Sequence, residues 1–152
     1  MATCPQCTAK TKTGGRCKRT TCRYAPFCAA HRAFTIDEST LPGAGKGIFA
    51  SRPLKRSDTI GDYTIATIKQ NETEFLESYP GSRATHTAKV NASYFTALGT
   101  GRRTHNGIGM GNRAASGRRN NAKILKSGRV VATRRMGLED EFFIAYGRGY
   151  KI

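Results

Sequence analysis

Carboxylates are scarce in this 152-residue chain: 10 Asp and Glu stand against 26 Lys and Arg, a net charge of +16. Residues 1–36 contain none, and neither do residues 101–136. Fields of one sign attract polyanions and steer them in. Nucleic acid or chromatin is therefore an expected neighbour, against the alternative of a merely solvated basic surface. Long apolar runs are also missing. No stretch approaches the ~18 residues of a membrane span, so no membrane partner is expected. The start, Met1-Ala2-Thr3-Cys4-Pro5, lacks the basic and apolar regions of a secretory signal. The expectation is an intracellular protein, in the nucleus of a cell or host. A convincing Ser/His/Asp set is absent too, and His86 and His105, in polar stretches, read as surface residues.

What is present bounds the rest. A hydrophobic share of 38%, with seven Phe and six Tyr, supports a modest core. The length suits one compact domain plus a small appendage. All five cysteines, Cys4, Cys7, Cys17, Cys22 and Cys28, fall within the first 28 residues, beside His31. An odd number without an export signal argues against a disulfide framework and for a metal. Cys4-x-x-Cys7 and Cys28-x-x-His31 each allow two donors to reach one ion from a tight turn. Thiolates and imidazole suit tetrahedral zinc. Six candidate donors compete for four positions. So short a segment cannot bury a sufficient core, and metal binding would supply its folding free energy.

Beyond residue 34 the pattern is strand-like, in short pieces. Gly47–Ala50, Thr59-Ile60, Tyr63–Ile68, Thr87–Val90, Ala92–Thr96, Ile124-Leu125, Val130-Val131 and Phe142–Tyr146 are apolar, aromatic or β-branched, and Gly, Pro, Asn or Ser bound them. Asn71–Tyr79, with Glu72, Glu74 and Glu77, reads as one brief helix. The prediction is a mainly β domain of short strands with few short helices. Residues 98–121, rich in Gly, Asn and Arg, read as a long functional loop rather than core.

The wording Cys7-Thr-Ala-Lys-Thr-Lys-Thr-Gly-Gly-Arg-Cys17-Lys-Arg, followed by Cys28-x-x-His31, resembles a small module of large DNA viruses and protists. That resemblance implies zinc ligation by Cys7, Cys17, Cys28 and His31, with Cys22 the substitute ligand. Three later motifs resemble the SET domain. Ser39-Thr-Leu-Pro-Gly43-Ala-Gly45-Lys46-Gly47-Ile-Phe-Ala-Ser51, then Asp58-Thr-Ile-Gly-Asp-Tyr63, is similar to its opening. Gly109-Met-Gly-Asn112-Arg113-Ala, then Asn120-Asn-Ala-Lys-Ile124, is similar to its Asn-His segment, with Arg113 in place of His and Gly109 in place of Arg. Val131 to Tyr150, with Glu141, Tyr146 and Gly147 at the family's spacing, is similar to its ending.

The resemblance implies a SET-domain β-clip over residues 34–152, preceded by a zinc-stabilised module over 1–33. It implies S-adenosylmethionine bound by Gly43, Gly45, Lys46, Gly47, Asn112, Arg113 and Tyr146. Tyr146 would be the catalytic tyrosine, with Tyr63, Tyr94 and Tyr150 along a lysine channel. Methyl transfer from a sulfonium to a neutral amine needs alignment more than a strong base. Alignment is worth roughly 7–11 kcal/mol in the best intramolecular cases, and aromatic faces suit an amine that becomes cationic. A protein-lysine methyltransferase of minimal virus type, acting on histone tails, is the implied function, and a homodimer is its implied assembly. The alternative is a catalytically impaired SET-fold zinc protein that binds nucleic acid or chromatin.

Overall fold

The computed structural model describes residues 4–65, 67–78, 87–96, 106–112 and 119–145, with the backbone alone at 87 and 88. After the N-terminal module, β1 (Phe34–Glu38) and β2 (Lys46–Ala50) form an antiparallel pair running from Phe34↔Ala50 to Glu38↔Lys46. Next come β3 (Thr59–Asp62), β4 (Ile68–Asn71), α1 (Glu72–Ser78), β5 (Thr87–Val90) and β6 (Ser93–Thr96). A 3-10 turn at Gly107–Met110 leads to β7 (Ala122–Ile124), β8 (Arg129–Ala132) and β9 (Ile144–Ala145). Two further sheets result, in the orders β3-β8-β7-β9 and β4-β6-β5. Among the described strands only β7 and β9 pair in parallel, and an isolated parallel bridge joins Asn112 to Phe143. No helix among the described residues is long and apolar enough to cross a membrane.

One core joins the first two sheets. Phe34, Ile48, Leu54, Ile60, Ile108, Val130, Met136, Phe142 and Ile144 are buried in it. Burial of such side chains contributes about 1.5–3 kcal/mol each. The expected helix is present, and Asn71 begins it: its side chain accepts from the Glu74 N–H at 2.8 Å, while Glu74 Oε1 accepts from the Asn71 N–H at 3.1 Å. This reciprocal capping satisfies two otherwise orphaned donors. Phe75 of α1 stacks on Tyr94 of β6, with ring centroids 4.1 Å apart.

Three local expectations need correction. The predicted strand Tyr63–Ile68 is mostly turn, and β4 begins only at Ile68. Side chains capture its backbone: Asp62 Oδ1 accepts from the Thr64 N–H and hydroxyl, and the buried Asn106 amide donates to the carbonyls of Asp62 and Ile65. Such local bonds compete with a strand ladder. Residues 98–121 are not wholly loop, because Asn106, Gly107, Ile108 and Gly109 are buried. Finally, β1 was not foreseen, although Phe34 and Ile36 alternate with polar residues as a half-buried strand should.

Candidate active site and metal centre

The N-terminal module is a tight hairpin. The Thr11 N–H donates to Gly15 at 2.7 Å and the Gly14 N–H to Thr11 at 2.9 Å, with Gly14 at φ +89°. The Cys17 N–H then bonds Ala9 at 2.8 Å, and the Cys7 N–H bonds Arg19 at 2.7 Å. Both thiols are thereby turned to one point. From the other side comes the turn Cys28–His31, closed by the His31 N–H on Cys28 at 3.0 Å.

The four donors expected from the sequence converge: Cys7, Cys17, Cys28 and His31 place their ligand atoms within 4.8 Å of one another. Cys17 Sγ lies 3.9 Å from Cys28 Sγ, and His31 Nδ1 lies 3.3 Å from Cys28 Sγ and 3.7 Å from Cys7 Sγ. A tetrahedron with Zn–S near 2.3 Å and Zn–N near 2.0–2.1 Å has edges of about 3.6–3.8 Å. The donor set and its spacing therefore fit zinc. All three thiols are buried. Burial pushes the Cys7 thiol up, only partly offset by backbone N–H groups of Ala9 and Cys28. For Cys28 burial acts the same way, but bonds from the His31 side chain and backbone and the Ala30 backbone prevail and bring it down to about 7.

Cys22 is not a reserve ligand. It is joined to Cys4 by a disulfide, with a Cα–Cα separation of 4.8 Å. The Gln6↔Thr20 bridge and the Thr21 N–H bond to Pro5 at 2.9 Å bring these two stretches side by side, away from the metal donors. The cysteines, expected from their odd number to form no disulfide framework, do include this one pair. Cys7, Cys17 and Cys28 are free.

The glycine turn lies at the other end of β1 and β2. Gly43 and Gly45 both have φ +74°, and a Cβ at either would meet nothing within 4 Å. Their left-handed backbone favours glycine, and the open space beside them leaves room for a ligand against the main chain. Gly47 differs. A Cβ there would stand 2.5 Å from Glu141 Oε2 and 3.1 Å from Asn112 Nδ2. Two sequence-distant side chains are packed onto it.

Glu141 organises this point. Its carboxylate accepts from Ser39 Oγ at 2.6 Å, from the Thr40 N–H at 2.8 Å and from Thr40 Oγ1 at 2.6 Å. Burial acts to raise its pKa, but these bonds and the Asn112 amide outweigh it and hold the carboxyl below its usual range. Asn112 also donates to the Lys46 carbonyl at 3.0 Å. The segment bearing Glu141 is gripped on three sides. The Phe142 N–H donates to Ile48, the Ile144 N–H to Asn112, and Asn121 bonds both Glu141 O and the Phe143 N–H. A cleft of about 510 Å³ opens beside Glu141, over Phe49 and Phe143, with Thr40, Arg119, Arg134 and Asp140 around it.

Of the residues expected at a cofactor site, Gly43, Gly45, Lys46, Gly47 and Asn112 are thus collected at one place. Arg113, Tyr146 and Tyr150 lie outside the described residues. Tyr63 is fully buried in the core. Tyr94 is on the separate β4-β6-β5 sheet, stacked on Phe75 with Lys89 5.5 Å from its ring. Sequence reasoning used Glu141 only as a spacing marker and missed its role as a latch. The available signal was a carboxylate set directly against the apolar run Phe142–Ala145.

Solved structures are similar to this chain in fold, and two of them are the following. A candidate histone methyltransferase of Plasmodium falciparum aligns over 79% of this chain and 97% of its own, at 18% identity and a TM-score of 0.48. A chain of ctPRC2, in an autoinhibited conformation bound to S-adenosylmethionine, aligns over 80% of this chain at 14% identity and a TM-score of 0.56. The fold is SET-like. This chain spans 16% of the ctPRC2 chain, so the likeness concerns one part of that protein. No family model matches the sequence, and no curated protein matches it. Within this SET-like fold the glycine turn, Asn112 and the Glu141 segment come from three separate parts of the chain and meet through side-chain bonds.

Proposed function

We propose that the protein is an S-adenosylmethionine-dependent protein-lysine N-methyltransferase, with histone tails as substrate and one structural zinc ion in its N-terminal module. One observation carries the reading. Asn112 and Glu141 both close on the Lys46–Gly47 step, across 66 residues of chain for the Asn112–Lys46 bond. These are the motifs whose wording resembles the SET cofactor site.

The bound cofactor would supply an electrophilic methyl group. The chain's own residues would hold and orient it. Gly43 and Gly45 leave their backbone open, and Glu141 and Asn112 fix the turn's position. Arg119, Arg134 and Asp140 give the adjoining cleft charges of both signs, which match the ammonium and carboxylate of an amino-acid zwitterion. Tyr146 is proposed for the transfer point and Tyr150 for the lysine channel, on motif spacing. Aromatic faces stabilise a cationic amine by about 0.5–2 kcal/mol. Cys7, Cys17, Cys28 and His31 would hold zinc and fold the module.

The test is transfer of a labelled methyl group to a histone mixture. Incorporation into lysine that disappears in Tyr146→Phe is expected. No incorporation into any histone, with cofactor bound, would overturn the substrate assignment.

A further inference from the structure

The zinc-type hairpin carries a charge pattern that the methyl-transfer reading does not use. Residues 4–32 include Lys10, Lys12, Arg16, Lys18, Arg19, Arg23 and Arg32, with no Asp or Glu. A zinc ion with three thiolates and one imidazole has a net charge of −1, so the loaded module keeps a charge of +6.

Three of these cations have structural work. Arg16 donates to the carbonyls of Cys7 and Gln6 at 3.0 and 3.1 Å. Arg23 and Arg32 flank the Tyr24 ring at 5.4 and 5.5 Å. Lys10, Lys12, Lys18 and Arg19 are exposed, and no ion pair among the described residues involves them. Lys10 and Arg16 moreover stand directly opposite each other across the hairpin.

The hairpin is also firmly mounted. Phe27 packs against both the cysteine cluster and the central core, Tyr24 meets Phe34 edge-on at 5.4 Å, and the Gly107 N–H bonds the Arg23 carbonyl at 2.8 Å. Four exposed cations thus lie on a module packed against the central core.

We propose that this hairpin is a docking surface for the phosphate backbone of nucleic acid, contacted by Lys10, Lys12, Lys18 and Arg19. The contact is sequence-independent, since phosphates carry no base information. It stands apart from the methyl-transfer reading and does not depend on it.

Fluorescence anisotropy of the zinc-loaded full chain, with labelled 20-base-pair DNA and RNA duplexes from 50 to 200 mM salt, tests it. Each lost phosphate contact flattens the plot of log affinity against log salt by about 0.9. Changing Lys10, Lys12 and Lys18 together to Gln should flatten the slope by about 2.7. Over that range the wild type then loses about 40-fold more affinity than the variant. The matched variant Lys123→Gln, Lys126→Gln, Arg129→Gln, on the β7–β8 hairpin, should keep the wild-type slope. Binding to either duplex with this pattern supports the proposal, and the two probes separate DNA from RNA. An unchanged slope in the first variant, loss only in the second, or equal binding to polyglutamate would each overturn it. Zinc content of one equivalent in both variants confirms that the hairpin is formed.

Discussion

The side-chain amide of Asn112 donates to the main-chain carbonyl of Lys46 at 3.0 Å, and Glu141 lies on the same glycine step from the opposite end of the chain. The glycine turn is therefore held from outside its own strand pair. Its shape depends on residues 66 and about 95 positions away in sequence, which makes it sensitive to substitutions that do not touch it directly.

Gly47→Ala should therefore behave differently from Gly45→Ala. The first drives a methyl group into Glu141 and Asn112, an overpacking cost of about 1–3 kcal/mol. The second has open space but a left-handed backbone, a cost of about 1–2 kcal/mol. Urea unfolding measures both. Double variants separate them: with Glu141→Ala, the cost of Gly47→Ala should shrink while that of Gly45→Ala stays the same.

Acid stability should depend on Glu141. Its carboxyl titrates below the usual range in the folded protein. The folded state therefore binds that proton less readily than the unfolded chain, and stability rises with pH there. The contribution is fully present above the unfolded value, near pH 4.5, and is lost as pH falls through the lower folded value. Glu141→Gln should cost about 1.5–3 kcal/mol at neutral pH, the loss of charge-assisted hydrogen bonds. It should also flatten the pH dependence of unfolding between pH 5 and the acid limit (roughly pH 2). Thermal melts across this range check it; an unchanged pH profile would contradict the latch.

For the metal, about one zinc equivalent is expected in purified protein. Cys28→Ser or His31→Ala should remove it and unfold the module, since metal binding and folding are linked in so small a segment. Cys22→Ser should retain it, because Cys22 faces Cys4 rather than the cluster. Zinc analysis with circular dichroism distinguishes these cases. Loss of zinc in Cys22→Ser would contradict the donor assignment.

How much of this was legible in the sequence follows from the range of each interaction. The donors Cys7, Cys17, Cys28 and His31 could be read because their spacing within one short segment is local. Most strands could be read for the same reason, as could α1 through Asn71 and Glu74. The turn at Tyr63–Ile65 could not, because Asn106 imposes it from more than 40 residues away. Glu141 was legible as part of a motif but not as a latch, since its partners Ser39 and Thr40 lie about 100 residues earlier. The Cys4–Cys22 pair escaped because parity and compartment arguments count cysteines without placing them. Tyr63, assigned to a channel wall by resemblance, is fully buried in the core. Its polar neighbours Asp62 and Thr64 do not separate those two roles.

The central claim is that the Lys46–Gly47 step, held by Asn112 and Glu141, binds S-adenosylmethionine. Isothermal titration of the zinc-loaded protein with this cofactor is its most direct measure. Saturable one-to-one binding is expected, weakened at least tenfold in Asn112→Ala, about 1.4 kcal/mol, with unfolding free energy lowered by no more than about 0.5–1.5 kcal/mol. The absence of binding at millimolar cofactor to a folded, zinc-loaded protein would contradict it.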